Sequence, residues 1–252
     1  MLRIVSLIVF LFYLSVSAVF AAHPLITDDA GTQGKGKWQL ELDGQYEHEH
    51  ERGEKENNSE ISTTVTYGLM DTMDFVLGAP YQWVRTRDSE GTTRENGVAD
   101  MSFDLKWRFY EKDGLSLALK PGITLPTGDD EKGLGTGKVT YRAFFIATKE
   151  LTPWMFHLNL GYYRNENKED TKKDLWHASL ASEYLLTKNL RAVANIGVER
   201  GDDPTTDSDP AFLLGGLIYS VSDAFDVDAG YKYGLTKSEA DHTILVGLTF
   251  RF

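Results

Sequence analysis

His242-Thr-Ile-Leu-Val-Gly-Leu-Thr-Phe-Arg-Phe252, the last eleven residues of a 252-residue chain, alternate apolar and polar side chains almost without fault. His242, Ile244, Val246, Leu248, Phe250 and Phe252 fall on one side; Thr243, Gly247, Thr249 and Arg251 fall on the other, with Leu245 the exception. Successive residues of a strand point to opposite faces, so a period of two over this length predicts a strand with one apolar face. Such a strand either buries that face in a soluble sandwich or turns it toward lipid in a closed barrel. The rest of the chain decides between them.

Upstream, the same period recurs over residues 38–46, 61–69, 73–85, 101–109, 115–125, 138–149, 154–163, 175–186, 190–200, 211–221 and 225–235. Each is close to the roughly 9–11 residues of a tilted transmembrane strand. With the last segment they make twelve. Long polar connections (50–60, 86–97, 126–137, 164–174, 201–209, 236–241) alternate with short turns (70–72, 111–114, 150–153, 187–189, 222–224). Even number and loop asymmetry both belong to a bacterial outer-membrane barrel. Aromatic residues gather at both strand ends: Trp38, Trp107, Trp154, Tyr184, Phe225 and Phe252 by the short turns, and Tyr46, Trp83, Tyr162, Trp176 and Phe212 by the long loops. Two such girdles favour lipid over a sandwich core. The expected fold is therefore all-β, a transmembrane antiparallel up-and-down β-barrel of twelve strands over residues 38–252. Pro80, which has no N–H to give a ladder, marks a bulge or bend. Residues 138–149 and 211–221 are apolar on both faces (Phe144-Phe-Ile-Ala147, Phe212-Leu-Leu214), so their register stays open.

Arg3, an apolar run from Leu7 to Tyr13 and small residues up to Ala21-Ala22 form the three regions of a secretory signal peptide. Cleavage is expected after Ala21, with Ala18 and Ala22 as alternatives. Residues 22–37 then form a polar, Gly-rich lead-in, read as a periplasmic or plug segment. His23, Asp28 and Asp29 within it lack a metal-ligand spacing, and no metal or cofactor is expected. The mean hydropathy of -0.33 excludes a helical membrane protein but not a barrel, which hides apolar residues at every second position. A net charge of -12, with no cluster of Lys and Arg, argues against nucleic acid. With no cysteine, thiol chemistry and disulfides are absent.

The closing strand resembles the C-terminal signature of outer-membrane barrels, whose terminal Phe is read by the assembly machinery. That machinery, outer-membrane lipid with lipopolysaccharide, and a small-molecule solute are the expected partners. The lead-in His23-Pro-Leu-Ile-Thr-Asp-Asp29 with Gly31-Thr-Gln-Gly34, the segment Leu77-Gly-Ala-Pro-Tyr81, and Leu125-Pro-Thr-Gly128 with its Gly-rich loop together resemble the outer-membrane transporter family named for the MetA pathway of phenol degradation. The resemblance spans the mature chain. It implies a bacterial outer-membrane channel for small aromatic compounds and offers no catalytic residue.

Alternation alone assigns Glu41, Asp43, Asp104, Lys106, Arg108, Lys120, Arg191, Glu199, Asp226, Asp228, Lys232 and Arg251 to the lumen. Rings of opposed charge there make either a selective channel or a salt-bridged, plugged interior. Val76, Val84 and Leu213 or Leu217 are candidates for an apolar track for aromatic solutes or, equally, for packing against a folded-in N-terminal lead-in. His177-Ala-Ser179 with Asn195 looks like the His-x-Ser plus Asn arrangement of outer-membrane phospholipase A, but these residues fall on the face opposite Trp176, Leu180 and Tyr184, away from lipid. No enzyme is expected. The alternative to transport is a cell-surface interaction or structural barrel, using the acidic loops 49–60 and 201–209.

Overall fold

In a computed structural model of the chain, the structure describes residues 23–51, 54–87 and 91–252. The expected signal peptide and its cleavage site lie outside them. The strands are β1 (Trp38–Glu51), β2 (Glu54–Met70), β3 (Met73–Arg87), β4 (Thr92–Val98), β5 (Met101–Lys112), β6 (Leu115–Leu125), β7 (Thr140–Leu151), β8 (Trp154–Arg164), β9 (Asp174–Thr187), β10 (Leu190–Glu199), β11 (Ala211–Ser222), β12 (Phe225–Gly234) and β13 (His242–Arg251). Each pairs antiparallel with its neighbour, and β13 closes the ring on β1, with Leu42 opposite Leu248 and His48 opposite His242. Trp38 and Phe252 exchange backbone hydrogen bonds of 3.1 and 2.9 Å, which carry the closure to the chain's last residue.

The thirteen strands occupy twelve positions in the wall, because β4 and β5 are one barrel strand broken at Ala99-Asp100. Residues 81–87 of β3 face 92–98 of β4, whereas 73–78 face 102–107 of β5, one residue out of step. Pro80 stands at the break and its carbonyl accepts the Ala99 N–H at 3.0 Å. The Asp100 carboxylate is thereby free to take the backbone N–H groups of Gly128 (2.9 Å) and Thr136 (2.8 Å) in the Gly-rich loop.

Two expected loops are largely strand. β1 and β2 stay paired out to Glu51 opposite Glu54, within the expected loop 50–60. Likewise 86–97 contains the end of β3 and most of β4. The charged composition marks where the apolar band stops; the ladder continues past it because backbone hydrogen bonding is indifferent to which polar side chain it carries.

The outer face is apolar, as the alternation requires. On β13, Ile244 and Val246 are 54% and 52% exposed while Thr243 is fully buried. Trp38 packs on Tyr67 (4.4 Å between ring centroids) and Trp154 on Tyr184 (4.6 Å) at the short-turn rim, and Tyr81 on Trp83 (4.6 Å) toward the other. In β7 and β11, whose register the sequence left open, Phe144, Ile146, Phe212, Leu214 and Ile218 point inward. Phe212 therefore belongs to no girdle. Leu213 and Leu217 are 49% and 48% exposed, on the outer face, so neither adds to a lumenal track. What fixes the two strands is the chain segment inside the barrel: Leu25 packs with Phe212, Leu214, Ile218 and Leu245, and Ala30 with Ala118 and Ile146, Phe144 covering them.

Candidate functional site

Residues 23–33 run inside the barrel as a strap along its inner wall, and 34–37 lead out at the short-turn rim to β1. The strap's partners, followed from Gln33 back to His23, travel round the ring. The Gln33 N–H meets Asp74 Oδ2 of β3 at 2.9 Å, and the Ala30 N–H meets Thr148 Oγ1 of β7 at 2.9 Å. Asn159 of β8 binds Asp28 in both directions, its amide oxygen accepting the backbone N–H and its NH2 donating to the carbonyl, each at 2.8 Å. Asn195 of β10 accepts the N–H groups of Ile26 (2.9 Å) and Thr27 (3.1 Å) and donates to Thr27 Oγ1 at 2.7 Å. Finally His23 Nδ1 lies 2.5 Å from Asp228 of β12 and 3.7 Å from Asp43 of β1. An irregular segment has backbone groups that must be satisfied when buried; here amide and hydroxyl side chains of the wall satisfy them. Gly216 and Gly230 leave the room Pro24 fills, since a Cβ at either would stand within 2.8 Å of the proline ring.

Asp28 is the electrostatic centre of the strap. Its carboxylate takes Lys106 Nζ of β5 at 2.9 Å and Lys120 Nζ of β6 at 2.8 Å, and Asp29 stands 3.8 Å from Lys106. Burial by itself would raise the Asp28 pKa, but the two ammonium groups outweigh it and hold the carboxyl below the ordinary range. For His23, burial works to lower the pKa, yet the bond to Asp228 and the charge of Asp43 raise it overall.

The strap covers one part of the wall and leaves another bare. A cavity of about 230 Å³ remains between it and β1–β3, bounded by Lys106 and Lys120. On the bare side stand Gln39, Glu41, Asp43, Asp74 and Val76. Three of these hold buried oxygens without a hydrogen-bond donor: Gln39 Oε1, Asp43 Oδ1 and Asp74 Oδ1. Leaving such a group unpaired costs about 1–3 kcal/mol. Water or a solute in the cavity would supply the donor.

All twelve residues assigned to the lumen by alternation lie on the inner face or its rims, but in separate groups. Glu41, Asp43, Lys106 and Lys120 line the cavity. Asp104 is gripped by Arg142 (2.7 and 2.5 Å). Arg191 lies between Glu183 (2.8 Å) and Asp226 (3.3 Å), and Arg251 also reaches Asp226 at 2.8 Å. Lys232 binds Glu239 at 2.6 Å, and Asp228 holds His23. Arg108 meets the Asp71 carbonyl near the short-turn rim at 3.1 Å; Glu199 meets His177 near the other at 3.2 Å. Selection by charge passed over the neutral Gln39, Thr148 and Asn159, and the charged Asp74 of β3 was left out as well. Parity alone placed Gln39, Asp74 and Asn159 inward, while Thr148 lies in a segment whose register stayed open; what the four bind was not legible.

His177 Nε2 and Ser179 Oγ are 2.9 Å apart, within the reach nucleophilic catalysis demands. Both face the lumen, and Ser179, 4% exposed, also accepts a bond from Thr27 Oγ1 at 2.7 Å. Asn195 does not orient this pair: it turns to the strap.

The barrel is similar to solved outer-membrane barrels. An outer membrane channel from Pseudomonas putida F1 aligns over 89% of this chain and 98% of its own, with TM-score 0.69 and 14% identity. The translocator domain of the autotransporter NalP from Neisseria meningitidis aligns over 87% and 89% (0.56, 13%), and the NanC porin over 84% and 98% (0.54, 10%). At such identities the likeness is one of fold. No curated protein sequence is significantly similar to the chain. The sequence profile of one family, however, matches residues 27–252, most of the strap and the whole barrel. The chain therefore belongs to the family described as "Putative MetA-pathway of phenol degradation".

Proposed function

We propose that the protein is a bacterial outer-membrane channel that passes small solutes, aromatic compounds among them, between the strap and the bare wall of β1–β3. The observation that carries this reading is the cavity: apart from the Gln33 N–H on Asp74, the buried strap satisfies its backbone on Thr148, Asn159 and Asn195 of β7, β8 and β10, and it leaves charged and acceptor groups uncovered on the other side. Glu41, Asp43, Lys106 and Lys120 are the lining that a solute meets there; Asp104, Arg191, Asp226 and Arg251 brace the wall in ion pairs. Val76 and Leu25 give an aromatic ring apolar contact. The family's name supports that solute class, and the apolar outer face supports an outer-membrane location, with lipid and lipopolysaccharide as neighbours and assembly through the C-terminal strand. The reading gives His177 and Ser179 no catalytic part.

Single-channel recording of the refolded protein tests it. The wild type is expected to conduct weakly, and deletion of residues 23–33 to raise the conductance several-fold. Phenol in the bath is expected to reduce the wild-type ion current. A barrel that stays closed with and without the strap would overturn the reading.

A further inference from the structure

We propose that the cavity between the strap and β1–β3 binds small organic cations, ammonium-bearing molecules with a short apolar body, and disfavours anions of the same size. The inference rests on the channel reading for its physiological sense and on the cavity alone for its chemistry. Five carboxylates border the cavity (Asp28, Asp29, Glu41, Asp43 and Asp74) against two lysines and His23. Both lysines are already held by Asp28, at 2.9 and 2.8 Å, and His23 by Asp228 at 2.5 Å, so the cationic groups of this lining are already paired. The acceptors opposite are not. Asp74 is 1% exposed and gives one oxygen to the Gln33 N–H, its other oxygen having no donor. Gln39 is 5% exposed and its Oε1 is likewise unpaired, as is Asp43 Oδ1.

Unpaired acceptors beside carboxylates call for a partner that brings donors and positive charge together. An ammonium group has three N–H donors and no acceptor. A bare metal ion fits less well, since among the described residues no group of three or more His, Asp or Glu is arranged to hold one. Volume narrows the choice: at about 230 Å³ the cavity is smaller than the roughly 300–1,000 Å³ of sites for drug-sized ligands. Leu25, Ile26 and Val76 supply a surface for a short alkyl or aryl body.

Butylammonium and butyrate, matched in length and opposite in charge, are the probes. Calorimetric titration of the refolded, full-length protein is expected to give binding of butylammonium and none of butyrate. In planar bilayers under a KCl gradient, the reversal potential is expected to show cation preference, and butylammonium to block the current. The double variant Glu41→Gln/Asp43→Asn is expected to lose both effects, while Asp207→Asn in the 201–209 loop keeps them; heat-dependent gel migration reports whether each variant is folded. Should the double variant fail to fold, the wild-type comparison of the two probes decides alone. Equal binding of both, or preference for butyrate, overturns the proposal even if the protein conducts. Binding of butylammonium by a barrel that never conducts would sustain this site and overturn the channel reading instead.

Discussion

The inner wall under the strap and the inner wall facing the cavity are built from the same kind of strand, yet they handle polar groups in opposite ways. On β7–β10, Thr148, Asn159, Ser179 and Asn195 are 5% exposed or less and all are hydrogen-bonded to strap residues. On β1 and β3, Gln39, Asp43 and Asp74 keep an oxygen unpaired beside open volume. Unpaired atoms also occur elsewhere: Asp226 Oδ1 and Arg251 Nε belong to side chains joined in a packed ion cluster, and Asp228 Oδ2, Thr243 Oγ1 and Thr249 Oγ1 lie on β12 and β13, likewise outside β7–β10. The contrast teaches that a polar barrel interior is not one environment. Neutral amides and hydroxyls suit a permanent protein ligand whose backbone needs both donors and acceptors, whereas uncovered carboxylates suit a partner that comes and goes.

The largest test of the contrast is Asp28→Asn. It removes the charge that holds Lys106, whose side chain is 9% exposed, and breaking a buried pair costs about 3–5 kcal/mol. The low end is expected, because the Asp28 and Lys120 side chains keep 23% and 21% of their exposure and Asp29 remains near Lys106. The temperature at which the barrel loses its heat-resistant gel mobility should fall markedly, and protease should reach the strap; Glu41→Gln on the bare wall should leave both unchanged. Equal damage from the two would erase the distinction.

A second test is steric. Gly230→Val places a Cβ 2.7 Å from Pro24 Cβ, and overpacking of this kind costs about 1–3 kcal/mol. Gly215→Val, whose Cβ would have its nearest neighbour at 4.0 Å, should be tolerated. Thermal unfolding of the two variants should separate them; a tolerated Gly230→Val would mean that the strap is not seated there.

The smallest effect is one of pH. Since the His23 pKa is raised on folding, its stabilisation of the strap is complete below about pH 6.5, the ordinary His value, and is lost as the pH climbs through the higher folded value. Proteolysis of the strap should therefore be faster at about pH 9 than at about pH 6, and His23→Gln should flatten the difference. Faster cleavage at the lower pH would show the sign to be wrong. Asp28 works in the other direction: its pKa is lowered, so its contribution is lost only as the pH falls below the ordinary carboxylate range.

The sequence by itself determined the barrel. Alternation is a property of neighbouring residues, so the outward set Ile244, Val246, Leu248 and the even number of wall positions could be read from the chain without knowing any long-range contact. It also marked its own exceptions. Leu245 broke the pattern of the closing strand, and the segments around Phe144 and Phe212 had no readable face. Tertiary structure resolved all three in one way: Leu245 and Phe212 pack with Leu25, and Phe144 covers Ala30, so these inward apolar residues are the seat of the strap. The expected loops 50–60 and 86–97 were misjudged because polarity reports the edge of the apolar band and not the end of backbone pairing. The cavity was beyond reach of the sequence for a similar reason. Which inward acceptors are satisfied depends on where residues 23–33 lie across the ring, and contacts between Thr27 and Asn195 or His23 and Asp228, some 170 to 200 residues apart, leave no local period to read.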